Sequence, residues 1–100
     1  MKAYVIVNVD VTDKDRYPDY VKVAPASIQA HGGRYIARGG RTEKLEGTAW
    51  EPKRVVLLEF PSFEQAKAWW SSQSYAEPKA LRQACARTEM ILIEGCPPVF

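Results

Sequence analysis

From Ala3 to Val11 the chain alternates strictly, with Val5, Val7, Val9 and Val11 on one side. Tyr4, Ile6, Asn8 and Asp10 fall on the other, a period of two that predicts a strand. Thr12 or Asp13 can then cap a helix running towards His31, with Tyr17, Tyr20, Val21, Ala24 and Ile28 at near-helical spacing. Pro18 and Pro25 predict a late start or a kink, and Gly32-Gly33 an end. Residues 34–46 read as a long, rather polar extended segment, with Gly39-Gly40 placing a bulge or bend in its middle. Residues 47–52 form a turn or loop with Trp50.

Arg54 to Phe60 is a third strand, and its unbroken apolar run Val55-Val56-Leu57-Leu58 suits burial on both faces. Pro61 stops it. Ser62-Phe63-Glu64-Gln65 then has the form of a capping box opening a helix with Phe63, Ala66, Trp69 and Trp70. Residues 71–74 weaken that helix, and Pro78 suits the first turn of another, in which Leu81, Ala84 and Cys85 share a face. Thr88 to Glu94 closes the pattern as a strand with Met90-Ile91-Leu92-Ile93.

The order β-α-β-β-α-β predicts an α+β, ferredoxin-like antiparallel sheet with its helices on one face. Helices from one chain can cover only one side of a sheet that is apolar on both. The exposed side would exceed what soluble monomers tolerate, so a homodimer packed sheet to sheet is expected, forming a dimeric α/β barrel.

Composition adds limits rather than chemistry. One hundred residues, 46% hydrophobic and 26% charged, make one domain, expected over residues 1–96 with a tail at 97–100. Fourteen Lys+Arg against twelve Asp+Glu give a net charge of +2, with both signs interleaved. No basic stripe points to nucleic acid, no apolar run is long enough for a membrane span, and no basic region followed by an apolar one opens the chain. A cytoplasmic location is the expectation. Cys85 and Cys96 fit neither a disulfide framework nor a zinc pattern; Cys85 reads as core and Cys96 as exposed.

Several segments together resemble the domain of unknown function 1330 family. They are Tyr4-Val5-Ile6, His31-Gly32-Gly33-Arg34-Tyr35 with Arg38-Gly39-Gly40, Arg54 to Ser62, Ala68-Trp69 and Ser74-Tyr75. The chain departs from that pattern at Trp70 and in its Cys-Pro-Pro tail. The resemblance implies a dimeric α/β barrel, akin to antibiotic-biosynthesis and haem-degrading monooxygenases, chlorite dismutases and muconolactone isomerases. It implies no activity, since the family has none established.

Among candidate site residues, His31 is the one histidine and titrates near neutral pH. It can be a general base or axial ligand at a cavity mouth, or a cation favourable at a helix C-terminus. Arg38 and Arg54 come from neighbouring strands; pointing inward they form an anion site, pointing outward they are solvated charges. Asn8 shares a face with Ile6, and its amide needs water, ligand or an interface partner. Tyr35, Trp69 and Tyr75 offer aromatic surface for a ligand or for core packing. No phosphate loop, catalytic triad, paired carboxylates or metal cluster is present in the sequence, and no cofactor is assigned from it, with haem or another cofactor left open. Two functions of different class follow. One is a small-molecule site between sheet and helices, suited to cofactor-independent oxygenation or isomerisation of a small aromatic or carboxylated metabolite. The other is a non-catalytic dimeric binding or structural module.

Overall fold

The computed structural model describes residues 1–99; Phe100, the last residue of the expected tail, lies outside the described residues. The elements are β1 (Ala3–Val11), α1 (Tyr17–Ala30), β2 (Arg34–Arg38), β3 (Arg54–Phe60), α2 (Phe63–Trp70), α3 (Gln73–Cys85) and β4 (Ala86–Glu94). The strands form one antiparallel sheet in the order β2-β3-β1-β4. This is the ferredoxin-like arrangement. All three helices supply buried side chains to a single core with Val5, Val7, Val9, Val56, Leu58 and Phe60 of the sheet. Each of those apolar side chains contributes roughly 2 kcal/mol through burial.

The cross-strand register decides which side chains share a face. Val5 lies opposite Leu58 and Leu92, Val7 opposite Val56 and Met90, and Val9 opposite Arg54 and Thr88. That set faces the helices. Tyr4, Ile6, Asn8 and Asp10, opposite Ile93, Ile91, Glu89 and Arg87 on β4, form the other face. Ile91 and Ile93 remain 61% and 50% exposed there.

Several local expectations are corrected. The second extended segment pairs only from Arg34 to Arg38, with its irregularity between Tyr35 and Ala37 rather than at Gly39-Gly40. Gly39 ends the strand instead, at φ +66° with its N–H donating to Val55 O. A Cβ at that position would collide with the Arg54 guanidinium, so only glycine lets the two pack together. The third helix begins five residues before Pro78, at Gln73, because Ser72 accepts from the Tyr75 N–H and caps it there. The expected cap at Ser62 forms, its hydroxyl accepting from Gln65 N at 3.1 Å.

The segment 39–53 folds back over the open face as a strap. Asn8 anchors it with both ends of its amide: Nδ2 donates to Glu51 O at 3.1 Å and Oδ1 accepts from Lys53 N at 2.8 Å. This places Trp50 beside Ile6 and Ile91, where it lines a hollow with them.

Candidate functional site

Between the sheet and the helices lies a partly open cavity of about 30 Å³, room for one or two water-sized groups. Val7, Val9, Val56 and Met90 form its floor, and Trp69 and Ile28 part of its walls. Three arginines reach it from three elements: Arg38 on β2, Arg54 on β3 and Arg82 on α3. No Asp or Glu lines it.

Each guanidinium is held by something other than a carboxylate. Arg38 stacks 4.1 Å above the Tyr35 ring and donates to Val21 O at 3.0 Å. That carbonyl is free because its helical partner four residues on is Pro25, which has no N–H. Arg54 lies 5.7 Å from the Tyr17 ring centre, and its buried Nε has no hydrogen-bond partner among the described residues. Arg82 is only 4% exposed and donates from Nε to Tyr75 Oη at 3.3 Å. Among the described residues, neither Arg38, Arg54 nor Arg82 forms a salt bridge. Of the three, Arg82 is buried, Arg54 is half-buried and Arg38 is exposed, so the cost of an unpaired buried cation falls mainly on Arg82 and on the Arg54 Nε.

A second orphan lies in line with the first. Thr88 Oγ1 is buried without a partner, and Thr88 and Arg54 flank Val9 in one cross-strand row facing the helices. The tyrosines supply neutral hydroxyls. Tyr20 Oη sits 2.8 Å from Tyr75 Oη, and burial, with Tyr75 close by, pushes the Tyr20 ionisation far above its ordinary value. Burial also raises Tyr35, against the opposing pull of Arg38. Both therefore stay protonated at neutral pH.

The residues proposed from sequence divide sharply. Tyr35, Arg38, Arg54 and Trp69 line the cavity. Trp69 spends its indole N–H on Ser27 Oγ at 3.1 Å and acts as wall. Tyr75 stands just behind, joined through its hydroxyl to Tyr20 and Arg82. Asn8 does not share this cavity: it is on the opposite face of the sheet, with its amide committed to the strap. His31 is not at its mouth either. Its Nδ1 donates to Ser27 O at 2.9 Å across the last turn of α1, satisfying a carbonyl the helix end leaves open.

Arg82 and Tyr20 were missed as site residues, yet the sequence carried a signal. Tyr75, Pro78, Arg82 and Cys85 recur at spacings of three and four, and all are buried. A charge on that otherwise apolar stripe marks a site. Cys85, as expected, is buried, and its thiol ionisation is pushed up by that burial.

A larger hollow of about 310 Å³ lies under Trp50 on the open face. Its polar lining is Asn8, already bonded, and Glu89, so it offers little to hold a polar ligand. No group of three metal-ligating side chains occurs among the described residues. No helix there is long and apolar enough to cross a membrane.

Comparison with solved structures places this architecture among known ones. A protein of unknown function from Rhodopseudomonas palustris superposes with a TM-score of 0.78 at 17% identity, covering 97% of this chain and 84% of that one. SnoaB, a cofactor-independent oxygenase from Streptomyces nogalater, superposes at 0.66 with 7% identity, covering 98% and 96%. A conserved protein of unknown function from Bacteroides thetaiotaomicron superposes at 0.61 with 17% identity, covering 94% and 97%. At these identities the likeness is one of fold. No curated protein matches the sequence. The profile of the domain of unknown function DUF1330 matches residues 2–96, and the chain belongs to that family.

Proposed function

We propose that this protein binds a small organic anion, a carboxylate on a compact apolar body, in the cavity between sheet and helices. The observation that carries the reading is the buried, unpartnered Nε of Arg54 in a cavity lined by three arginines and no acid. Guanidinium presents paired donors that match a carboxylate, and such bonds are among the stronger ones in proteins. At about 30 Å³ the ligand-free cavity is small, so an aromatic or branched ligand enters by opening the Arg38–Val21 contact at the cavity rim. Isothermal titration with acetate and benzoate, against the matched amides, tests it. Saturable binding of a carboxylate that weakens roughly 10- to 100-fold in R54M is expected, the worth of a charge-assisted hydrogen bond. Unchanged affinity in R54M would reject the site.

Turnover of the bound anion by cofactor-independent oxygenation or isomerisation is supported by the fold shared with SnoaB. Oxygen consumption, or isomerised product, on adding a bound carboxylate distinguishes an enzyme from a binding protein.

The working unit in this reading is a homodimer closed through the open sheet face. Ile6, Leu57, Ile91 and Ile93 give that face an apolar centre, and both charge signs occur around it, at Asp10 and Arg87 and at Lys2, Arg34 and Glu59. A patch with that distribution can complement its own two-fold image. Light scattering should give twice the single-chain mass, falling to one chain in I91D/I93D.

A further inference from the structure

We infer that Tyr20 touches the bound carboxylate as the last donor of a one-way hydrogen-bond chain running from Arg82 through Tyr75. The inference rests on the anion-binding reading above and adds a residue and a direction to it.

The direction follows from what each atom can do. Arg82 Nε only donates, so Tyr75 Oη must be the acceptor of that 3.3 Å bond. The 2.8 Å contact between Tyr75 Oη and Tyr20 Oη allows either hydroxyl to donate. If Tyr20 gave its proton, Tyr75 would accept twice and its own proton would need a third partner. Tyr75 is fully buried, and its hydroxyl has no other partner among the described residues. The reverse arrangement leaves nothing stranded in the core. Tyr75 gives its proton to Tyr20, and the Tyr20 proton is free to point into the cavity that Tyr20 lines.

A chain that begins at a fixed positive charge is polarised along its length, which makes its terminal O–H a better donor. Tyr20 would therefore meet an oxyanion with a strengthened hydroxyl, while Arg38 and Arg54 approach from the strand side. All these groups donate, and none of the cavity's side chains carries a carboxylate to receive a proton. The fitting ligand group accepts only. An ionised carboxylate has that property, and an amide, with its own N–H donors, does not. Tyr20 is the contact residue; Tyr75 and Arg82 are positioning residues that act through it.

Calorimetric titration of benzoate and benzamide into the wild-type protein, Y20F, Y75F and the double variant separates the possibilities, with circular dichroism confirming that each folds. Y20F should weaken benzoate about tenfold, and benzamide less. Y75F should weaken it by a smaller factor, because Tyr20 keeps its hydroxyl but loses its polarising neighbour. The double variant should match Y20F within about twofold, since Tyr75 has nothing to act through once Tyr20 is gone. Independent, multiplying losses overturn the chain. If Y20F binds benzoate as the wild type does while R54M does not, Tyr20 is no contact and anion binding stands. If R54M leaves binding unchanged, both fall. Should Y20F fail to fold, Y75F decides alone, and full benzoate affinity in it overturns the inference.

Discussion

The two faces of the sheet are built from the same strands and treat charge in opposite ways. On the open face, Glu59 is bonded by Arg34 at 2.9 Å and approached by Lys2 at 3.4 Å, and Asp10 meets Arg87 at 3.5 Å. On the helix face, where desolvation makes an unpaired ion most expensive, Arg54 and Arg82 have no carboxylate among the described residues. Pairing is therefore available to this sequence and is used where it is least needed. Arg82, buried, and Arg54, half-buried with an unpartnered Nε, are retained on the helix face without it, as the proposed anion site requires.

The sharpest way to test that contrast is to remove matter from each face. Trp69 is 1% exposed, with ring centres of Tyr75 and Phe60 at 4.2 and 5.4 Å. W69A should cost about 4 kcal/mol in urea unfolding, the range for emptying a large aromatic site. I91A, on the open face, should cost well under 1 kcal/mol in the unfolding of the single chain. Comparable losses would mean the open face is as well packed as the core.

Asn8 ties the strap to the open face through two hydrogen bonds with residues more than forty positions away. N8A should lower stability by roughly 2 kcal/mol, about 1 kcal/mol per bond, and increase quenching of Trp50, which is already 49% exposed. A smaller effect follows for Arg54, with the opposite sign. R54M removes a buried donor that has no partner, so the ligand-free protein should gain about 1 kcal/mol while losing carboxylate binding. If R54M instead destabilises, Arg54 is a structural group and the argument from unpaired charge fails.

These contrasts also show where the sequence could be read. β1 and β3 announce themselves because alternation and an apolar run are local properties, and the Ser62 cap needs only four residues. The extent of β2 is not local. Residues 41–46 look extended, but a strand exists only where a neighbour pairs with it, and the β3 pairing with Arg38 reaches no further than Val56. The same holds for side chains. Asn8 could be seen to need partners, whereas finding them in Glu51 and Lys53 required the fold. Arg82 is legible as a charge on the Tyr75–Cys85 stripe, but Leu81, Ala84 and Cys85 beside it carry the stronger apolar signal.

The weakest test is also the one that separates the faces by pH. On the helix face Tyr20 and Tyr35 ionise above their ordinary values because burial opposes the phenolate. Their contribution to stability is complete below about pH 10, the unfolded value, and is lost as pH rises beyond it. The open face responds at the acid end. The hydrogen bond from Arg34, aided by Lys2, holds the Glu59 carboxyl below its usual range. A depressed carboxylate stabilises the fold above the unfolded value of about 4.3, and that stability disappears as pH falls towards the native one. Urea midpoints of wild type and E59Q, compared from pH 7 to below 4, should converge as acid protonates Glu59. Y20F leaves the buried Tyr75 hydroxyl without its acceptor, a loss that does not vary with pH, and beyond that constant offset should differ from wild type in its alkaline limb alone. Because the Glu59 pair is reached by water and screened by salt, its acid-limb difference should shrink at high ionic strength while the alkaline difference for Tyr20 persists. Equal salt sensitivity of the two limbs would show that Tyr20 is wetted as Glu59 is, and the contrast between a dry face and a wet one would fail with it.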